Sequence, residues 1–243
     1  MEDLKLDVLA FGAHPDDVEI TSGGTMCKMK KMGYATGIID LTQGEMGTYG
    51  NIEKRAEESE NAATILQLDV RKNLGFPDGR LANTPELREK IVRTIRTYRP
   101  EILLAPFTET RHPDHAAAGQ AVKEACFLAG LEKNETGQQK FRPSAVIFYP
   151  EHNVQTPDFA VDISEEWEVK LQSIQAHQSQ VYDGDDANNT RGTFIKSRQF
   201  SDLIYSRYRY YGIMTGVEFA EVFYYQGIPR VDDILSAFRR NVK

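Results

Sequence analysis

Two short clusters of histidine and aspartate stand far apart in this sequence. An apolar run ends abruptly in "HPDD", which begins at His14, and a later apolar run is followed by "HPDH", which begins at His112. Imidazole nitrogens and carboxylate oxygens bind catalytic metals and also transfer protons. Either cluster alone would favour a capped helix and a solvated loop. The two together, with three of the chain's five histidines, indicate a metal site.

The spacing of the residues in the first cluster predicts different roles for them. His14 and Asp17 lie three positions apart on a turn and can face one point, where His115 can supply a third ligand. Three N/O ligands with an open position for water are typical of a catalytic zinc site. Because adjacent side chains on a turn usually diverge, we expect Asp16 to stand beside that water as the general base.

The second cluster can stabilise charge on the other side of the reaction. His112, three positions before His115, could protonate or hydrogen-bond a developing oxyanion. Asp114 is then a candidate partner that keeps His112 protonated. Together the two clusters suit metal-assisted hydrolysis.

The elements that must position these residues alternate between strand and helix up to about residue 140. "KLDVLAFGA", "ATGIIDLT" and "EILLAP" are typical of buried strands, whereas "TPELREKIVRTIRTYRP" is typical of a capped helix. This alternation predicts an α/β fold with a Rossmann-like, mostly parallel sheet flanked by helices. Ligands bind beyond the carboxyl ends of such strands. Both clusters follow a strand, so we expect them to meet although Asp17 and His115 are 98 positions apart.

The glycine-rich segment "TSGGT" behind the first cluster predicts a turn, followed by a helix over "TMCKMKKMG" that stops at Gly33. A nucleotide-binding module could use such a strand-to-helix turn. The segment lacks the G-x-G-x-x-G spacing and the lysine of a P-loop, however. A nucleotide site is therefore a weak alternative.

The pattern loosens after residue 140. "SAVIFYP", "DFAVDIS" and "GVEFAEVFYY" predict strands, and "EEWEVKLQSIQAH" and "SDLIYSRYRYYG" predict helices. No linker rich in Pro, Gly or Ser separates these parts. We therefore expect one domain over residues 1–243, with a βα core over 1–140 and a C-terminal α+β extension over 141–243 that covers one side of the sheet.

Composition excludes several classes of partner. A net charge of -7 argues against a surface for nucleic acid or for an anionic membrane, since both need clustered lysine and arginine. No apolar run approaches the roughly 20 residues that span a bilayer, and the N-terminus does not resemble a signal peptide. Cys27 and Cys126 lie in apolar, helical contexts typical of buried thiols. We expect a cytoplasmic protein.

"AHPDDVE" with a later "HPDH" on this framework resembles the LmbE/PIG-L family of zinc-dependent N-acetylglucosaminyl deacetylases. The resemblance implies a metal-dependent amidohydrolase. It implies one Zn²⁺ per subunit, with Fe²⁺ or another divalent metal as the alternative. It also makes His14, Asp17 and His115 the ligands, which agrees with the assignment from spacing. Asp16 would be the base and His112 the oxyanion-stabilising acid.

Within the family, "LGFPDGRL", "RHPDH" and "VDIS" are most similar to the branch that deacetylates N-acetylglucosaminyl malate in bacillithiol biosynthesis. Arg55 resembles a family arginine that reaches the substrate, and Arg55, Arg80 and Arg111 are our candidates for the malate carboxylates. Some relatives carry a tyrosine where this chain offers Phe194 and Phe200. The resemblance also implies a homo-oligomer, a trimer or hexamer.

Other functions stay open at this point. The substrate could be free N-acetylglucosamine, chitobiose or another N-acetyl amino-sugar conjugate. A non-catalytic, metal-dependent binding protein would need the same ligands. His177 also resembles a residue of a family segment near the site, but a histidine that ends a helix is more often a C-terminal cap, so we leave it out of the site.

Overall fold

The structure, a computed structural model, describes residues 4–151, 156–185 and 190–238. Within these ranges a seven-stranded sheet is flanked by helices, which confirms the predicted α/β class. The strands are β1 (Val8–Gly12), β2 (Thr36–Thr42), β3 (Val70–Phe76), β4 (Ile102–Pro106), β5 (Ala145–Tyr149), β6 (Phe159–Asp162) and β7 (Ala220–Tyr225). The helices are α1 (Asp17–Lys31), α2 (Ile52–Ile65), α3 (Pro85–Tyr98), α4 (Pro113–Ala129), α5 (Trp167–Gln175), α6 (Arg198–Thr215) and α7 (Ile234–Phe238).

The sheet runs in the order β3-β2-β1-β4-β5-β7-β6. The first five of these strands pair in parallel, and β7 and β6 add antiparallel pairs at one edge. Strand order reverses between β1 and β4, because β2 and β3 lie on one side of β1 while β4 and β5 lie on the other. A crevice at such a reversal is where open α/β sheets bind ligands.

Alternate residues of the central strands enter different cores. On β1, Leu9 and Phe11 pack with α3 and α4 on one face of the sheet, whereas Val8 and Ala10 pack with α1 on the other. Side chains alternate across a strand, so a strand covered on both faces is apolar throughout. This double burial explains the unbroken apolar runs in the sequence.

Helix α1 begins at Asp17, directly after the first cluster, and runs through the segment for which a glycine-rich turn was predicted. That prediction was wrong for a physical reason. All residues from Asp17 to Cys27 are buried, so α1 shows little amphipathic periodicity. Remote side chains also support its backbone: Glu221 accepts the N–H groups of Gly24 and Thr25, at 2.9 and 2.7 Å.

The C-terminal part extends the sheet and covers α1. Strands β7 and β6 continue the sheet beyond β5, and α5 packs against α1 and α2. A third core joins Ile20 of α1 to Trp167 of α5 and to Phe200, Ile204 and Tyr208 of α6. Lys170 of α5 is fully buried and pairs with Glu221 at 2.7 Å. That these parts form one domain stays a prediction.

None of the described helices combines the length and the apolar character needed to cross a bilayer.

Candidate active site

The two histidine clusters meet at the carboxyl ends of β1 and β4, as the sequence predicted. They line one wall of a cavity of about 410 Å³. "HPDD" forms the turn between β1 and α1, and "HPDH" begins α4. Because β1 and β4 are adjacent parallel strands, their ends bring together residues distant in the sequence.

The three predicted ligands converge on a single point. His14 Nδ1 lies 3.0 Å from His115 Nε2 and 3.6 Å from Asp17 Oδ2, and His115 Nε2 lies 3.4 Å from Asp17 Oδ1. Ligand atoms about 2.0–2.2 Å from a tetrahedral ion lie roughly 3.3–3.6 Å from one another. The separations therefore suit a small divalent cation between the three side chains.

In each histidine ring, the nitrogen turned away from this point faces a carboxylate. That contact indicates which nitrogen carries the proton when the ring is neutral. His14 Nε2 lies 2.9 Å from Asp78 Oδ1 and 3.4 Å from Asp114 Oδ2, while His115 Nδ1 contacts Glu151 Oε2. In a neutral imidazole, the nitrogen that faces a carboxylate is the donor. Burial lowers the pKa of His14, but hydrogen bonds to Asp114, Asp17 and Asp78 raise it well above its ordinary value, so a cation would have to displace a proton from this ring. With both rings neutral, the lone pairs of His14 Nδ1 and His115 Nε2 would face the cation beside a carboxylate.

Several sets of side chains in the described residues could hold a metal ion, and all belong to this site. They are His14 with His112 and His115, His14 with Asp78 and Asp114, and Asp17 with His115 and Glu151. The geometry above favours His14, Asp17 and His115 as ligands. Asp78, Asp114 and Glu151 would then orient the two rings.

Asp17 is held in its charged form. Burial opposes ionisation of this carboxyl, but the adjacent His115 and His14 hold its pKa well below the usual range. His14 also donates its backbone N–H to Asp17 Oδ2 at 2.8 Å. An ionised, oriented carboxylate is what a metal ligand requires.

Asp16 takes no part in these contacts: its Oδ2 lies 3.5 Å from Arg55 Nη2, and the residue lines the same cavity. It is buried, and its φ of 111° places it in a backbone conformation that L residues rarely adopt. Burial raises its pKa to about 6, against the lowering effect of Arg55. A carboxylate with such a pKa can accept a proton near neutral pH more effectively than an ordinary aspartate.

His112 forms the N-cap of α4. Its Nδ1 accepts the backbone N–H of Asp114 at 3.2 Å, so Nε2 carries the proton of the neutral ring. Burial lowers the pKa of His112, and the neighbouring His14 lowers it further. The Asp114 carboxylate, expected to partner His112, instead contacts His14 and accepts the N–H of Gly79 at 2.7 Å. His112 is thus placed to donate a hydrogen bond as a neutral ring.

The three candidate arginines have different surroundings. Arg55 is buried against the HPDD turn at the edge of the cavity, and Arg111 is exposed and lines the cavity. Arg80 is exposed but does not line the cavity, so the structure does not bring it to the site. Arg207 of α6, which sequence reasoning missed, lines the wall that holds Phe194 and Phe200.

His177 is a second residue whose surroundings differ from the expectation. It follows α5 but is fully buried rather than capping a helix at the surface. Its Nε2 lies 3.2 Å from Glu19 Oε1, and Glu19 also pairs with Arg71 at 2.5 Å. Arg71 forms two bonds to Asp40, of 2.8 and 3.0 Å. These buried charged side chains form a network that includes Glu19 in the first turn of α1.

A family model matches the part of the chain that builds this site. The model is described as PIG-L, GlcNAc-PI de-N-acetylase, and it matches residues 9–126. The matched stretch runs from β1 into α4 and includes both histidine clusters.

Individual relatives extend the similarity beyond that stretch. The chain is 37% identical over 188 residues to the diacetylchitobiose deacetylase of Thermococcus kodakarensis, covering 71% of this chain and 69% of that protein. It is 31% identical to a probable N-acetyl-alpha-D-glucosaminyl L-malate deacetylase 2 of Bacillus anthracis, over 71% and 80% of the two chains. The solved conserved protein TT1542 from Thermus thermophilus matches with a TM-score of 0.85 at 38% identity, over 93% and 98% of the chains.

Proposed function

The chain belongs to the PIG-L family of de-N-acetylases, and on that premise we propose that it removes the N-acetyl group from an N-acetylglucosaminyl glycoside. The observation that carries the proposal is the convergence of two imidazole nitrogens and a carboxylate beside a buried aspartate. Metal ligands and a proton acceptor are the two components that hydrolysis of an amide needs.

His14, Asp17 and His115 would hold the metal ion, with Asp78, Asp114 and Glu151 behind the rings. We propose Zn²⁺, because two histidines and a carboxylate are a set found in catalytic zinc sites. The same set also suits Fe²⁺, which remains the alternative. When bound, the ion would polarise the acetyl carbonyl and make water more acidic.

The side chains around the ion perform the proton transfers. Asp16 takes a proton from the water that adds to the carbonyl carbon, and the Nε2–H of His112 donates a hydrogen bond to the oxygen on which charge develops. Asp16 then returns the proton to the amide nitrogen. The C–N bond breaks, and the products leave as acetate and the protonated amine.

For the remainder of the glycoside we propose malate. The cations that support this choice are Arg111 and Arg207, which line the cavity and can receive carboxylates. Arg80 does not support the choice of malate, since it does not line the cavity. Chitobiose is the alternative, because the Thermococcus relative is a diacetylchitobiose deacetylase. The aromatic wall at Phe194 and Phe200 offers a sugar ring a surface to pack on.

The test is acetate release by zinc-loaded protein from three substrates: N-acetylglucosaminyl malate, diacetylchitobiose and free N-acetylglucosamine. Chelator-sensitive turnover of the malate glycoside above the other two would support the full proposal. Preference for diacetylchitobiose would retain the chemistry and replace the substrate. Asp16→Asn is the matched control, expected to keep metal and lose about 10²–10⁴-fold in rate. Metal-loaded protein that releases acetate from none of the three would contradict the proposed reaction.

A further inference from the structure

Arg55 lies in an unexpected place for a residue that contacts substrate. It is only 4% exposed at the start of α2. Its Nη2 donates to the carbonyl oxygen of Pro15 at 2.5 Å and lies 3.5 Å from Asp16 Oδ2. Both of these acceptors belong to the HPDD turn. The guanidinium therefore contacts the protein's own active-site turn, and Arg55 also lines the cavity with its Nε left without a hydrogen-bond partner among the described residues.

The conformation of Asp16 explains why such a contact matters. The angle φ of Asp16, 111°, describes rotation of the Pro15–Asp16 peptide about the N–Cα bond of Asp16. Contact between Cβ and nearby backbone atoms disfavours positive φ for L residues, so surrounding groups must hold it. The Pro15 carbonyl belongs to the rotating peptide. A hydrogen bond to that carbonyl opposes the rotation and so fixes the direction in which the Asp16 side chain leaves the backbone.

The loop between β2 and α2 is shaped around the Arg55 guanidinium. A Cβ at Gly44 would lie 2.6 Å from Arg55 Cζ, and a Cβ at Gly47 would lie 3.1 Å from Arg55 Nη1. Gly44 also has a φ of +67°, which favours glycine. The two glycines leave a space for the guanidinium on the side opposite the HPDD turn. Arg55 is held between the loop and the turn.

We propose that Arg55 is a positioning residue that keeps the backbone and carboxylate of Asp16 in the orientation needed to accept a proton. The inference rests on the proposed function, in which Asp16 is the base. It adds to the expectation that Arg55 recognises substrate, because Arg55 also lines the cavity. Recognition would then be shared with other cavity residues such as Arg111.

Kinetics of Arg55→Ala and Arg55→Lys separate the two roles. Misplacing a reacting group by about 1 Å can cost roughly 100-fold, so we expect kcat of Arg55→Ala to fall by about that factor and by more than KM rises, with bound metal nearly unchanged. Arg55→Lys should remain impaired, because an ammonium does not reproduce the planar fork of the guanidinium. Added guanidinium ion should restore part of the rate of Arg55→Ala. Arg111→Gln, the matched control, should instead raise KM more than it lowers kcat.

A raised KM with normal kcat in Arg55→Ala would overturn the proposal, as would full activity of Arg55→Lys. A crystal structure of Arg55→Ala gives a readout that needs no activity: φ of Asp16 should leave the positive region, and retention of a φ near 111° would overturn the proposal. If Arg55→Ala does not fold, the same kinetic and crystallographic measurements can be made on Gly44→Ala. A Cβ at position 44 would displace the Arg55 guanidinium. Wild-type protein that deacetylates nothing would contradict the proposed function, while the crystallographic comparison would still test Arg55.

Discussion

Three carboxylates behind His14 and His115 would determine how the site binds an ion. Asp78 and Asp114 contact the far nitrogen of His14, and Glu151 contacts that of His115. Such contacts fix the ring proton and the ring orientation before an ion arrives. They also raise the basicity of the nitrogen that faces the metal.

Glu151→Gln should therefore weaken metal binding while leaving all three proposed ligands in place. Loss of an outer carboxylate typically costs about 10–100-fold in metal affinity, and we expect a reduction in that range. Competition with a chelator of known affinity would measure it. Glu132→Gln, which alters a surface ion pair with Lys140, is the control and should bind metal as tightly as wild type. Equal affinity in Glu151→Gln would show that Glu151 does not support His115.

The pH dependence of activity should report Asp16. Burial raises its pKa to about 6, and a general base works only when ionised. Below about pH 6 the carboxyl is protonated, so kcat/KM should fall as pH is lowered through about 6 and level off above it. A pH series at saturating metal would measure this limb. A limb near the ordinary aspartate pKa of about 4 would contradict the raised pKa of Asp16.

Among the helices and strands, the contact between α4 and β4 determines where His115 lies in the site. A Cβ at Gly119 of α4 would lie 2.2 Å from the carbonyl oxygen of Pro106, the last residue of β4. Backbone cannot move aside as a flexible side chain can. A side chain at this position must push α4, and with it His115, away from the sheet.

Gly119→Ala should consequently reduce both the free energy of unfolding and metal affinity. Overpacking of this kind costs about 1–3 kcal/mol. Denaturant unfolding of the metal-free protein and a metal titration would measure the two effects. Lys123→Ala, an exposed change on the same helix, should shift stability by no more than about 0.5 kcal/mol. Destabilisation with unchanged metal affinity would show that His115 does not move with α4.

Elements near the site also show what the sequence could and could not predict. The strands of the parallel sheet and the meeting of the two clusters follow from periodicity and from the rule for strand ends. The course of α1 does not, because its helical state depends on burial on all sides and on Glu221, 197 positions beyond Gly24. No local pattern records such a contact.

Two outer carboxylates were missed for a different reason. Asp78 lies in "FPDG" just past β3, which is typical of a turn, and Glu151 lies just past β5. Asp78 has no neighbouring histidine, and the Glu151–His152 pair does not repeat the HPD pattern of the two clusters, so residue type alone gave no signal. Their common position after parallel strands was the available clue, since those ends meet around one crevice.

At the scale of the whole molecule, a tightly bound ion should add to stability because it binds the folded chain. A ligand at 100 times its dissociation constant contributes about 2.7 kcal/mol. For a chain of this size that corresponds to a Tm shift of roughly 5–10 °C. Thermal unfolding with and without chelator would measure the shift. His115→Ala should show almost none, and an equal shift in that variant would place the stabilising ion elsewhere.

The number of subunits stays a prediction from the family resemblance. Sedimentation velocity of the metal-loaded protein would distinguish a trimer or hexamer from a single chain.

The separation of the proposed ligands along the sequence bears on the order of events in folding. His14 and His115 are 101 positions apart and meet only through the pairing of β1 with β4. Contacts between distant segments require loop closure, so the ligand set is incomplete until the centre of the sheet has assembled. An ion that binds after the rate-limiting step leaves the folding rate unchanged and slows unfolding. The metal would then prolong the lifetime of the native state without helping the chain to reach it.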